Sequence, residues 1–142
     1  MVLRPRSLTK DSAGTAVVEF AILTPVFLLM LTGMLAYGIY FGAAHSVQQL
    51  AADAARTAVA GIDVNEGRQM VRDYLRHNAG AYMLIDPQRL SFEVLVSGAN
   101  ADQYRVELRY DTADLPIWNL YPPLPLPSRE IVHGATIRRG GI

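Results

Sequence analysis

The chain has no cysteine. Disulfides, thiol nucleophiles and Cys-ligated metal sites are excluded together. It has one lysine, Lys10, and three histidines, His45, His77 and His133. None of the histidines stands at i, i+4 or His-x-His spacing, so metal ligation is not expected. No glycine-rich phosphate loop and no Gly-x-Ser-x-Gly elbow occurs. Asp111 and Asp114 lie in a turn-forming stretch, where carboxylates serve turns more readily than acid–base chemistry. The 13 basic and 13 acidic residues cancel, which gives no pull toward nucleic acid. The chain reads as one without catalytic, cofactor-binding or metal-ligating residues, and therefore not as an enzyme.

The most informative absence is of charge. Between Glu19 and Asp53 there is no Asp, Glu, Lys or Arg. From Phe20 to Ala44, at ~1.5 Å per residue, a helix of roughly 37 Å would form, against ~30 Å of bilayer hydrocarbon. That is long enough to span with some tilt. Tyr37, Tyr40 and Phe41 fall near its outer end, where amphipathic rings favour the headgroup level. Pro25 lies inside the span and predicts a local bend. Gly38 and Gly42 form a small-xxx-small pair that would let another helix approach. Arg4, Arg6 and Lys10 precede the span with only Asp11 against them, which places the N-terminus in the cytoplasm and the C-terminal part outside.

A cleaved secretory signal is one competitor, with Gly42-Ala43-Ala44 as its cut site. Its apolar core should run only about 7–15 residues, and this one is longer. An uncleaved anchor fits the length but gives Glu19 no reason to exist. A charge inside a span costs on the order of 2.5–3.5 kcal/mol at the centre, less near the edge. Either Glu19 finds a cationic partner, or it sits solvated and idle at the inner headgroup boundary. The residues alone leave both open.

The order Ala13-Gly14-Thr15-Ala16-Val17-Val18-Glu19-Phe20-Ala21, then Pro25, then Ala51-Ala52-Asp53-Ala54-Ala55-Arg56-Thr57-Ala58-Val59-Ala60, resembles the TadE family. These are pseudopilins of the tight-adherence (Tad/Flp) pilus, within the type IV prepilin-like class. The resemblance covers residues 13 to 61. It implies that Gly14 precedes a cut made by a prepilin peptidase, that Thr15 becomes the mature N-terminus, and that Glu19-Phe20 is the pilin-type pair. Glu19 would then take the Thr15 amine of a neighbouring chain and set the register of assembly. The partners implied are other pilins and pseudopilins, the prepilin peptidase, the inner-membrane assembly platform and the lipid bilayer. Two departures stand out: Tyr37-Gly38-Ile39-Tyr40 lacks a further acid that family members often carry, and Thr15 replaces the Phe that begins many type IV pilins.

The helix should continue beyond the membrane. Val47, Leu50, Ala51, Ala54 and Ala58 recur at three- and four-residue spacing, a narrow small-residue stripe suited to packing on a sheet. Gly61 should end it as a C-terminal cap. Asp63 reads as the cap of a second helix, with Glu66 reaching back to it. In that helix Met70, Val71, Tyr74 and Leu75 share a face. Arg68, Arg72 and Arg76 line another, as a solvated face paired with Asp73 and Glu66 or, alternatively, as an anionic docking ridge. Asn78-Ala79-Gly80 should stop it.

The period then changes to two. Leu90, Phe92, Val94 and Val96, then Tyr104, Val106, Leu108 and Tyr110, predict a hairpin around residues 98–102, and Ile131 to Ile137 predict a third strand. Five of the eight prolines fall in 115–127, predicting a stiff extended segment from which Trp118 and Tyr121 either cover the sheet or grip a partner.

The expected architecture is therefore α+β and pilin-like. A long N-terminal helix, half transmembrane and half amphipathic, packs on a small antiparallel sheet of about three strands, with one additional short helix. The expected organisation is a cytoplasmic leader 1–14, a helix 15–61 spanning the membrane over about 20–44, and an exported domain 62–142. The function expected is a structural minor pilin of a Tad-type pilus in the bacterial inner membrane, extracellular after assembly. The alternative is a single-pass envelope binding or adaptor protein that is never cut or polymerised.

Overall fold

The computed structural model describes residues 12–98, 102–120 and 125–139. Arg4, Arg6 and Lys10, the tip of the β-hairpin at 99–101, and Tyr121 lie outside the described residues. Helix α1 runs Ser12–Val59 and α2 runs Val64–Asn78, followed by a short 3-10 turn, Ala79–Ala81. Strands β1 (Leu90–Ser97), β2 (Gln103–Asp111) and β3 (Glu130–Arg138) form an antiparallel sheet in the order β1-β2-β3. The fold is α+β, as the change of period predicts.

The chain divides between Leu35 and Ala36 into two units. The first is the N-terminal stretch of α1, whose apolar side chains stand open: Phe20 is 72% exposed, and Leu23, Phe27 and Met30 are exposed with it.

The second unit holds the core. The α1 stripe Ala36, Ala43, Val47, Leu50, Ala51, Ala54 and Ala58 is buried in one cluster with Val71, Leu75, Val94, Tyr104, Val106 and Leu108. Fully burying a side chain such as Val47 or Leu50 contributes about 1.5–3 kcal/mol, and the alanines between them let the helix approach closely. The register sets Phe92 opposite Leu108 and Leu108 opposite His133, so one face of all three strands turns inward. The outer face carries Arg105, Glu107 and Arg109. Glu107 stands directly across from Glu93, a like-charge pair, and its carboxylate accepts from Arg109 Nη2 at 2.6 Å.

Three local expectations need correction. α1 does end just before Gly61, at Val59, but not through a left-handed glycine cap: among the described glycines only Gly98 has a positive φ, at 101°. Gly61 and Gly67 instead mark a close approach between backbones. A Cβ on Gly61 would lie 2.5 Å from Gly67 N, and one on Gly67 would lie 2.8 Å from the Ala58 carbonyl oxygen. Gly67→Ala should therefore destabilise the fold by about 1–3 kcal/mol, because neither neighbour is a movable side chain. Chemical denaturation of the full chain in detergent, followed by Trp118 fluorescence, measures it; an unchanged midpoint would show that the backbones can part.

The second correction concerns α2. Asp63 caps it through Oδ1 to Glu66 N (2.8 Å), but Glu66 reaches to Ile62 N (2.6 Å) and not to Asp63. Val71 and Leu75 are buried, while Arg68, Arg72 and Arg76 are exposed and form no ion pair with Asp73 or Glu66.

The third is the proline-rich segment. At its start, residues 113–119, with Pro116, fold into successive turns and do not extend, since proline's fixed φ suits the corner of a turn as well as an extended chain, while 121–124 lie outside the described residues. The turns tuck Leu115 and Ile117 into the core. Buried Thr112 donates from both N (2.9 Å) and Oγ1 (2.8 Å) to the Arg129 carbonyl, and Trp118 Nε1 donates to the Thr112 carbonyl at 2.5 Å. The Arg129 guanidinium lies 5.2 Å above the Trp118 ring. Trp118 covers the core edge and closes its own loop.

Candidate functional site

The residues expected to direct processing and assembly all lie in the first unit. Gly14, Thr15, Glu19 and Phe20 are exposed and helical. The Gly14–Thr15 bond thus lies within the first turns of α1, which begins at Ser12. Open space surrounds the position a Gly14 Cβ would take. Thr15 and Glu19 are four residues apart, one helical turn, or ~6 Å along the axis. A new α-amine at Thr15 and the Glu19 carboxylate would therefore sit on the same side of the helix, at its positive end.

Further along, Pro25 has no N–H to give its own turn. The two threonines of this stretch keep their hydroxyls within the helix: Thr24 Oγ1 donates to the Phe20 carbonyl (2.6 Å) and Thr32 Oγ1 to that of Leu28 (2.7 Å). A hydroxyl satisfied this way can face hydrocarbon without an orphaned donor. The helix is long and apolar enough to cross a membrane. Glu19 is the one charged side chain from Gly14 to Leu35.

The outer part of the expected span has protein around it. Ala36 and Ala43 are fully buried in the second unit, and Tyr37 Oη donates to the Pro125 carbonyl at 2.5 Å. Tyr37, Tyr40 and Phe41 do cluster, with ring centroids 6.1 Å (Tyr37–Phe41) and 6.0 Å (Tyr40–Phe41) apart. The two glycines proposed for helix packing differ. Around Gly38 there is open space, whereas a Cβ on Gly42 would meet Leu84 Cδ1 of the same chain at 3.4 Å. Leu84 itself is held at φ 64°, with Tyr110 Oη donating to its carbonyl at 3.0 Å.

Two polar groupings in the second unit were not legible as groupings in the sequence. Asp53 joins α1 to the segment after α2: its Oδ2 accepts from Tyr82 Oη (2.8 Å) while Oδ1 accepts from Arg56 (2.8 Å), and Tyr74 Oη lies 3.3 Å from Tyr82 Oη. The hydrogen bond to Tyr74, then burial, then the Asp53 carboxylate push the Tyr82 phenol far above its ordinary value. It stays protonated, as a structural donor. Elsewhere His45 and His133 line one groove of about 550 Å³ with Glu130, Tyr40 and Phe41. Among the described residues no group of three His, Asp or Glu side chains converges to hold a metal.

Helix α1 thus carries Gly14 near its start and a lone carboxylate one turn beyond Thr15, and it runs on through Ala51 to Val59. Residues 14–56 match the family of TadE-like proteins. The similarity covers that segment, about a third of the chain. No curated protein and no solved structure matches the chain. The TadE-like match ends within α1. It therefore says nothing of α2 or the sheet.

Proposed function

We propose that this TadE-like chain is a pseudopilin, a minor pilin of a Tad-type pilus. It is inserted in the inner membrane with its N-terminus in the cytoplasm, cut by a prepilin-type peptidase between Gly14 and Thr15, and assembled with other pilins through the inner-membrane platform. One observation carries the reading: an uncovered apolar helix bears a single carboxylate, Glu19, one turn from the residue that would become the N-terminus. A lone carboxylate beside hydrocarbon is costly unless it meets a cation, and the freed Thr15 amine supplies one.

The proposed membrane stretch ends near Leu35, earlier than Ala44, a reading supported by the burial of Ala36 and Ala43 in a protein core. From Gly14 to Leu35 a helix rises roughly 33 Å, close to the ~30 Å of bilayer hydrocarbon. Glu19 then lies a turn or more inside the span, where it depends more strongly on a partner.

N-terminal sequencing of the protein recovered from membranes tests the reading. A start at Thr15 is expected. Recovery of residues 1–14 still attached would favour the uncut anchor, and a start near His45 would favour a secretory signal; either overturns the pseudopilin. A C-terminal reporter active only in the cytoplasm would overturn the orientation.

A further inference from the structure

Two exposed features at opposite ends of α2 complement each other. At its start, Ile62 is 84% exposed, the most open of the large apolar side chains outside the membrane stretch. Asp63 and Glu66 flank it, both exposed. Each uses one oxygen for a cap, Asp63 Oδ1 for Glu66 N and Glu66 Oε2 for Ile62 N, and the second oxygen of each takes no hydrogen bond among the described residues. Behind this corner Arg139 donates to the Gly61 and Ile62 carbonyls, which fixes the backbone under Ile62. At the other end of α2, Arg72 and Arg76 rim a groove of about 280 Å³ floored by Leu75, Leu90 and Phe92, with Gln88 at its edge. No acid lines this groove, and neither arginine makes an ion pair or hydrogen bond among the described residues.

We propose that the Ile62 corner of one copy of this chain docks in the Arg72/Arg76 groove of the next. Ile62 enters the apolar floor, and Asp63 and Glu66 meet the two arginines. An apolar anchor ringed by opposite charges is the pattern that concentrates binding energy and fixes register. The occupant is a second copy because this chain itself presents the complementary knob. The two patches cannot meet within one molecule, since both ride on the same rigid helix, where Glu66 and Arg76 stand roughly 15 Å apart along the axis. The contact joins unlike patches, so it repeats from copy to copy as an open chain unless a symmetry axis closes it, as a two-fold would by seating each knob in the other copy's groove. It rests on the assembly reading only in needing copies side by side.

The absence of native cysteine makes the test direct. Ile62→Cys and Gln88→Cys are placed on separate, differently tagged full-length copies expressed together in cells making the fibre. Both positions are exposed, so neither substitution disturbs the core. A disulfide-linked mixed dimer is expected under oxidation, with neither variant forming a dimer alone. Arg76→Glu on the groove copy should lower the mixed dimer at least severalfold, and Glu66→Arg on the knob copy should restore it, with circular dichroism confirming that each variant folds. Three results would overturn the contact: Ile62→Cys linked to itself, Ile62→Cys linked to a different protein, or no link in any fraction while both thiols react with a maleimide. The mixed link in membranes with residues 1–14 uncut would keep the contact and sink the pseudopilin reading, so the two fail separately.

Discussion

Glu19→Ala is expected to reach the membrane in wild-type amount, be cut between Gly14 and Thr15, and fall at least about tenfold in the sheared-fibre fraction. Removing a carboxylate from an apolar helix lowers the cost of insertion, by up to on the order of 2.5–3.5 kcal/mol at full depth. The folded unit beginning at Ala36 does not use Glu19, whose side chain stands open. What is lost is the partner for a buried Thr15 amine in the packed bundle of spans. A loss of ~1.4 kcal/mol per contact already amounts to tenfold, and in a fibre the contact recurs. Glu19→Gln, which keeps the shape without the charge, should fail in the same way. The ratio of fibre to membrane protein on immunoblots of both fractions decides it. Normal incorporation of a correctly cut Glu19→Ala chain would leave the carboxylate as a processing signal at most.

Gly14→Leu is expected to leave nearly all of the protein as uncut precursor. Nothing lies within 4 Å of where the new Cβ would stand, so the substitution meets no clash in the chain itself. It also stabilises the local helix, since glycine is about 0.8–1.0 kcal/mol worse than alanine in a helix and leucine stands near alanine. Cleavage requires the turn around Gly14–Thr15 to open into the peptidase. A bulky side chain at the cut bond opposes entry, and a firmer helix opposes opening. Gly14→Ala separates these effects, being a strong helix former but small: cutting retained there and lost in Gly14→Leu assigns the block to size. Mobility of the two forms on gels, with N-terminal sequencing of any mature band, provides the measurement. Wild-type cutting of Gly14→Leu would mean that the proposed bond is not the one recognised.

Much of the architecture was legible because it is written in short periods. The charge-free run marks a helix long and apolar enough to cross a membrane, the small-residue stripe from Val47 to Ala58 marks the buried face of α1, and alternation marks each strand, since a helix repeats every 3.6 residues and a strand every 2. All five α1 positions read from that stripe are buried. The Gly14-to-Glu19 spacing and the Ala51–Ala60 segment carry the resemblance in the sequence itself, and the TadE-like match, over residues 14–56, takes in the first and reaches into the second.

What the sequence could not determine is which distant residues meet, because that depends on packing between elements far apart in the chain. Apolar residues on either side of Leu35 read alike; only the burial of Ala36 and Ala43, with the Tyr37 bond to the Pro125 carbonyl, separates helix covered by protein from helix left open. Gly61 reads as a cap and nothing in the local pattern singles out Gly67, yet the close crossing of two backbones requires both to lack a Cβ. Gly42 reads as half of a helix-packing pair and meets Leu84 of its own chain. His45 and His133 read as scattered and share a groove, and the three arginines of α2 read as a solvated face or an anionic docking ridge until the apolar floor beneath two of them is seen. Local pattern determined the elements. Tertiary structure decided where along α1 the protein core begins to cover the helix and which surfaces stay open, because burial is a property of the neighbours a residue acquires and not of its own side chain.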